Sequence, residues 1–100
     1  MILHTINKSP YRDNSFIECL RFIGGQASVL LIEDGVYAAQ DNTSFSLVLD
    51  TLDPEILCYA LAADIDARGL NNTLIKRVTL INDSEFVELV ATHHAVQSWF

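Results

Sequence analysis

Few side chains in this sequence can do covalent or proton-transfer chemistry. There are two cysteines, three histidines and one adjacent acid pair after an apolar stretch, Glu33-Asp34. A cysteine acts as a nucleophile through its thiolate, so position and nearby charge decide which thiol matters. Cys58 lies inside the apolar run Ile56-Leu57-Cys58-Tyr59-Ala60-Leu61, where a cysteine behaves as a small, inert hydrophobe. Cys19 follows Ser15-Phe16-Ile17-Glu18 on an expected helix whose apolar stripe is Phe16, Leu20 and Ile23. On the helical wheel it sits about 60° from the centre of that stripe. A groove or subunit boundary is within reach from there. Lys8, Arg12 and Arg21 share residues 1–21 with only Asp13 and Glu18, a locally positive setting that favours a thiolate. On chemistry alone, core filler and reactive thiol both stay open for Cys19.

The other candidates have plain structural readings beside the chemical one. Asp34-Gly35 is a turn dipeptide, so Glu33-Asp34 reads as a turn or cap before it reads as an acid/base pair. His93-His94 ends an expected helix, where a cation complements the helix dipole. No further ligand stands at a recognisable metal spacing. His4, inside the first strand, reads as a core or interface histidine. Neither G-x-G-x-x-G nor G-x-x-x-x-G-K-[ST] occurs, so dinucleotide and P-loop sites lack their fingerprints. A receiver domain needs acids after its first and third strands, and Asn7 and Ala62-Ala63 stand there instead.

The elements that must hold these residues alternate. Residues 1–6 read as a buried strand, and Ser15 with Glu18 matches a capping box for the next helix. Gly24-Gly25 is expected to end that helix in a left-handed residue. Residues 27–32 form a nearly continuous apolar strand, the pattern of a strand covered on both faces. Residues 36–52 read as partly helical, broken near Asp41-Asn42. A third buried strand spans 56–61, a short helix 62–68 is capped by Gly69, and a fourth strand spans 78–81. Asp83 or Ser84 opens a last helix to about His93, and residues 96–99 make a short fifth strand. Strand and helix in alternation imply right-handed crossovers. The expected class is α/β: a three-layer α/β/α sandwich around a four- or five-stranded, mostly parallel sheet, with residues 1–100 as a single domain.

Half of the residues are apolar, rich for a chain whose small size limits how much surface it can bury. Some of that excess is expected on a face that another subunit covers. Thirteen acidic residues against six basic ones give a net charge of −7. Direct binding to nucleic acid, which draws its affinity from Lys and Arg on phosphates, is not expected. The longest apolar run is too short for a membrane span, no signal peptide is visible, and two distant cysteines suit a reducing cytoplasm.

Leu3-His4-Thr5, Asn7-Lys8-Ser9-Pro10, Leu31-Ile32-Glu33-Asp34-Gly35-Val36-Tyr37-Ala38-Ala39, Asp66-Ala67-Arg68-Gly69-Leu70 and Val96-Gln97-Ser98-Trp99 together resemble the TusB/DsrH family in order, spacing and total length. The resemblance implies a DsrE/DsrF-like fold and no cofactor or metal. It implies a cytoplasmic heterohexamer with two homologous subunits, one DsrE/TusD-like and one DsrF/TusC-like. Such an assembly takes persulfide sulfur from a TusA-like donor to a DsrC/TusE-like acceptor, with the principal relay cysteine on a partner subunit. Asn7-Lys8-Ser9-Pro10, the Asn14-Ser15 helix opening and Cys19 on the first helix together look more like the DsrH branch, which serves sulfur oxidation. The TusB branch, serving 2-thiolation of the tRNA wobble uridine, is the alternative. So is a non-catalytic structural role in either assembly. The DsrH likeness makes Cys19 the candidate persulfide carrier of this subunit.

Overall fold

A computed structural model describes residues 1–99. The element order is β1 (Ile2–Ile6), α1 (Ser15–Phe22), β2 (Ala27–Leu31), a 3-10 helix (Glu33–Ala39), α2 (Ser44–Asp50), β3 (Leu57–Leu61), α3 (Ala62–Ala67), β4 (Val78–Ile81), α4 (Asp83–Thr92) and β5 (Ala95–Trp99). The five strands form one sheet in the order β4-β3-β2-β1-β5, and every pairing is parallel. The expected α/β class and parallel sheet are therefore observed.

Topology decides where each helix goes. From β1 to β4 the chain steps in one direction across the sheet, and α1, the 3-10 helix, α2 and α3 all pack on one face. The step from β4 to β5 runs back over three strands to the far edge. A right-handed crossover that reverses direction must lie on the opposite face, and among the described residues α4 is the helix that covers that face. The larger cluster joins Ile6, Val29, Leu31, Cys58, Ala60 and Val78 from the sheet to Phe16, Cys19, Val36, Leu49 and Ile65 from the helices. The smaller one consists of Leu3, Leu30 and Ile81, with Tyr59, Leu61, Phe86 and Leu89 packed on it.

Several local expectations need correction. Ser15 does not cap α1: Asn14 is the N-cap and its side chain makes no capping bond. Instead the Ser15 backbone N–H donates to Asp13 Oδ2 at 2.9 Å, and the Ser15 hydroxyl donates to the same carboxylate. The Ser15 hydroxyl, its backbone N–H and Lys8 hold the Asp13 carboxyl below its ordinary range. Capping boxes occur where none was foreseen, at Thr43–Ser46 and at Asn82–Glu85. Helix α1 ends at Phe22 with extended Ile23, and Gly69 is the glycine with positive φ, at 66°. There the Gly69 N–H reaches the Asp66 carbonyl and the Leu70 N–H the Ile65 carbonyl, the paired bonds of a Schellman ending. Strand β3 is only half-buried, with Leu57 exposed at its start.

Candidate functional site

The strand ends where an open parallel sheet gathers function lie beside β1, because the direction of winding reverses there. On the β2 side of β1, past the ends of both strands, Asn7, Lys8, Ser9, Arg12, Asp13, Glu33 and Asp34 line a cavity of about 370 Å³. A second, of about 450 Å³, shares Ser9, Arg12 and Asp34 with it and adds Tyr11, Tyr37 and Gln40. Both charges are represented. Asn7 Oδ1 is buried and has no hydrogen-bond partner among the described residues, leaving an acceptor ready for a donor. No thiol lines either cavity.

The residues around this edge hold its shape. A Cβ on Gly35 would lie 2.1 Å from the Ile6 carbonyl oxygen, so only glycine lets the start of the 3-10 helix pass against the end of β1. Glu33 has φ of 49°, a left-handed conformation uncommon outside glycine, and its N–H donates to Asp64 Oδ2 at 2.8 Å. Arg68 Nε donates to Asp34 Oδ1 at 3.0 Å, and the guanidinium also pairs with that carboxylate at 2.9 Å. Glu33-Asp34 is thus fastened to α3, the structural reading of that pair. Nearer the far edge, Trp99 Nε1–H donates to His4 Nδ1 at 3.0 Å. Burial lowers the His4 pKa, in keeping with a neutral ring that accepts there.

The two thiols occupy other places. Cys19 has no exposed surface; the buried face of α1 is Ser15, Phe16 and Cys19, while Leu20 and Ile23 are only partly covered. The stripe expected from the three largest apolar residues is therefore rotated, and Cys19 is at its buried side instead of on an accessible flank. Burial pushes the Cys19 thiol up to about 12, with no cation offsetting it. Cys58 is also buried, and its thiol is raised by burial. Unlike Cys19, it has the Arg77 guanidinium pulling the other way and lines a cavity of about 310 Å³ with Lys76 and Arg77. Arg77 is held there by the carbonyls of Leu52, Asp53 and Ile56, at 3.1, 2.7 and 2.9 Å. The charged neighbour was legible only as the basic pair Lys76-Arg77, eighteen residues beyond Cys58 in sequence.

His93 bridges α4 to the sheet. Its Nδ1 lies 2.6 Å from the Leu89 carbonyl and its Nε2 3.0 Å from Ser28 Oγ. The first contact satisfies a carbonyl left open at the helix end. The described residues hold no group of three or more His, Cys, Asp or Glu arranged for a metal ion, and no helix among them is long and apolar enough to cross a membrane.

Comparison with known proteins now decides the lineage. The family model described as "DsrH like protein" matches residues 8–96. The chain belongs to the DsrH family. A "Protein TusB" of Enterobacter sp. (strain 638) is 36% identical over 99 residues, covering 98% of this chain and all of that protein. "Protein TusB" of Escherichia coli (strain K12) is 34% identical with the same coverage. Among solved structures, the ychN protein from E. coli superposes with a TM-score of 0.87 at 18% identity, over 97% of both chains. MTH1491 from Methanobacterium thermoautotrophicum gives 0.74 at 15% identity, over 97% of this chain and 96% of that one. These two likenesses establish the fold. In this DsrH-family chain, the motif residues Gly35, Asp34, Arg68, His4 and Trp99 serve to lock strand ends and connections together.

Proposed function

We propose that this DsrH-family chain is the small subunit of a cytoplasmic sulfur-relay heterohexamer that serves 2-thiolation of the tRNA wobble uridine, the TusB role, and that it contributes surface instead of a carrier thiol. The observation that carries the branch is end-to-end similarity to proteins named TusB, at 34% and 36% identity. Of the features that resemble the sulfur-oxidation branch, Asn7-Lys8-Ser9-Pro10, the Asn14-Ser15 helix opening and Cys19, the one thiol among them has no exposed surface. The expected partners are DsrE/TusD-like and DsrF/TusC-like subunits. A TusA-like donor and a DsrC/TusE-like acceptor meet the assembly at the principal relay cysteine on a partner.

The test is complementation. In E. coli lacking its TusB, this chain is expected to restore 2-thiouridine in tRNA hydrolysates, measured by mass spectrometry. Absence of restoration, with the chain expressed and assembled, would overturn the tRNA assignment. A second reading keeps Cys19 as a persulfide carrier, following the cysteine on the first helix. It requires α1 to open from the sheet, because Cys19 has no exposed surface to meet an incoming carrier and burial pushes its thiol up.

A further inference from the structure

The starts of β3 and β4 lie at the opposite end of the parallel sheet from the cavities past β1. There Lys76, Arg77 and Thr79 line a cavity of about 310 Å³ together with Pro54, Leu57 and Cys58. Its charge sets it apart. The cavities past β1 mix cations with acids, and the groove beside α4 carries Glu85 and Glu88 without a cation. The cavity at Arg77 is lined by two cations and no carboxylate. In a chain of net charge −7, that segregation concentrates positive potential where an anion can enter.

Arg77 is built into its place. Its guanidinium donates to the carbonyls of Leu52, Asp53 and Ile56, so backbone groups fix it without neutralising its charge. The ion pairs among the described residues both belong to Arg68. The nearby acids do not cancel the field. Asp53 accepts from the Glu55 N–H at 2.9 Å and does not line the cavity. Burial raises the Cys58 thiol, and of the charges that also act on it Arg77 outweighs Asp50. From this we infer that the Lys76–Arg77–Thr79 cavity binds the phosphoryl group of a small organic phosphate monoester. Two cations match a dianion, and ammonium, guanidinium and the Thr79 hydroxyl supply donors for a tetrahedral oxyanion. Pro54 and Leu57, the latter 49% exposed, give the organic part an apolar wall. The volume lies at the lower end of cavities that hold small organic ligands. This site stands apart from the relay reading and does not depend on it.

The test is a titration of the full chain at about pH 7.5, where a phosphate monoester is mostly dianionic. Amide NMR shifts are followed at constant ionic strength. Phenyl phosphate should give saturable shifts centred on residues 54–59 and 76–79, and inorganic phosphate the same shifts with weaker affinity. Lys76 and Thr79 are exposed, so Lys76→Gln and Thr79→Val leave the carbonyl bonds of Arg77 in place, and circular dichroism confirms the fold. Lys76→Gln should weaken binding about tenfold, the loss of one charged hydrogen bond. Thr79→Val should weaken it less, and Glu88→Gln, at the acidic groove, should leave it unchanged. Shifts that never saturate, or undiminished binding by the Lys76→Gln chain, would overturn the site. Phenol binding as tightly as phenyl phosphate would show an apolar pocket and overturn it too. Acetate binding as tightly would overturn the phosphoryl assignment. Inorganic phosphate binding as tightly as the ester would overturn the organic ligand in favour of the free ion. Restoration of 2-thiouridine is read separately, so failure here leaves the relay reading standing.

Discussion

The two faces of the sheet are built from the same strands but finished differently. One carries α1, the 3-10 helix, α2 and α3 over a core in which Phe16, Cys19, Val36, Leu49 and Ile65 have no exposed surface. The other carries a single helix with no buried residue. Connection order explains the contrast: three consecutive crossovers load the first face, and the one reversed crossover must cover the second alone. The fully packed face is self-sufficient. The other face is closed only by half-buried Phe86 and Leu89 over Leu3, Leu30 and Ile81.

Substitutions on the packed face should have the largest effects. Phe16→Ala removes a fully buried ring that meets Phe45 edge-on at 5.9 Å. It should cost about 3–5 kcal/mol in chemical denaturation. Phe22→Ala, on the same helix but 75% exposed, should change stability by less than about 0.5 kcal/mol. Equal losses would erase the contrast between filled and open surface.

Gly35→Ala comes next. Its Cβ meets the backbone of Ile6, not the end of a flexible side chain, so β1 or the 3-10 helix must shift. A loss of about 1–3 kcal/mol is expected, and an unchanged melting temperature would show that the approach is looser than described.

The His4–Trp99 bond sharpens the comparison at the edge strand. Trp99→Phe should cost about 1 kcal/mol through the lost hydrogen bond. Because burial lowers the His4 pKa below its ordinary 6.5, the unfolded chain binds more protons than the folded one in that range. The contribution is present above 6.5 and is lost as pH falls through the folded pKa. Denaturation between pH 7.5 and 5 should show that loss, and His4→Phe should remove its share. Greater stability on acidification at this site would contradict the assignment of a neutral, accepting ring.

Much of the packed face could be read in advance, and the reasons are physical. The apolar runs 27–32 and 78–81 locate two strands to within a residue, and Gly69 is the left-handed residue its position suggested. The face of α1 was harder, because Leu20 and Ile23 outweigh Cys19 in size. Yet the helix sits so that Phe16 and Cys19 fill the sheet. The Asp13 carboxylate that accepts from Ser15 is not legible in the sequence, because the Ser15–Glu18 spacing fits a commoner motif. The open face could not be read locally. Phe86 and Leu89 look like the core stripe of an ordinary amphipathic helix, and only the strand order reveals that no second helix shares their face.

The thiols give the finest contrast within the packed face. Alkylation of native protein should be slow at both, with Cys58 ahead of Cys19, since Cys58 lines an open cavity beside Arg77. This reverses the order expected from helix position alone. Preferential labelling of Cys19 would mean that α1 opens readily and would revive the carrier reading.

The central claim is that this subunit supplies docking surface and not a sulfur-carrying thiol. Its most direct test is a chain with Cys19→Ala and Cys58→Ala, expressed in E. coli lacking its TusB and read by mass spectrometry of tRNA nucleosides. The account predicts 2-thiouridine at the level restored by the unaltered chain, with the assembly recovered intact. Loss of 2-thiouridine from an intact assembly would contradict it and place a working thiol on this subunit.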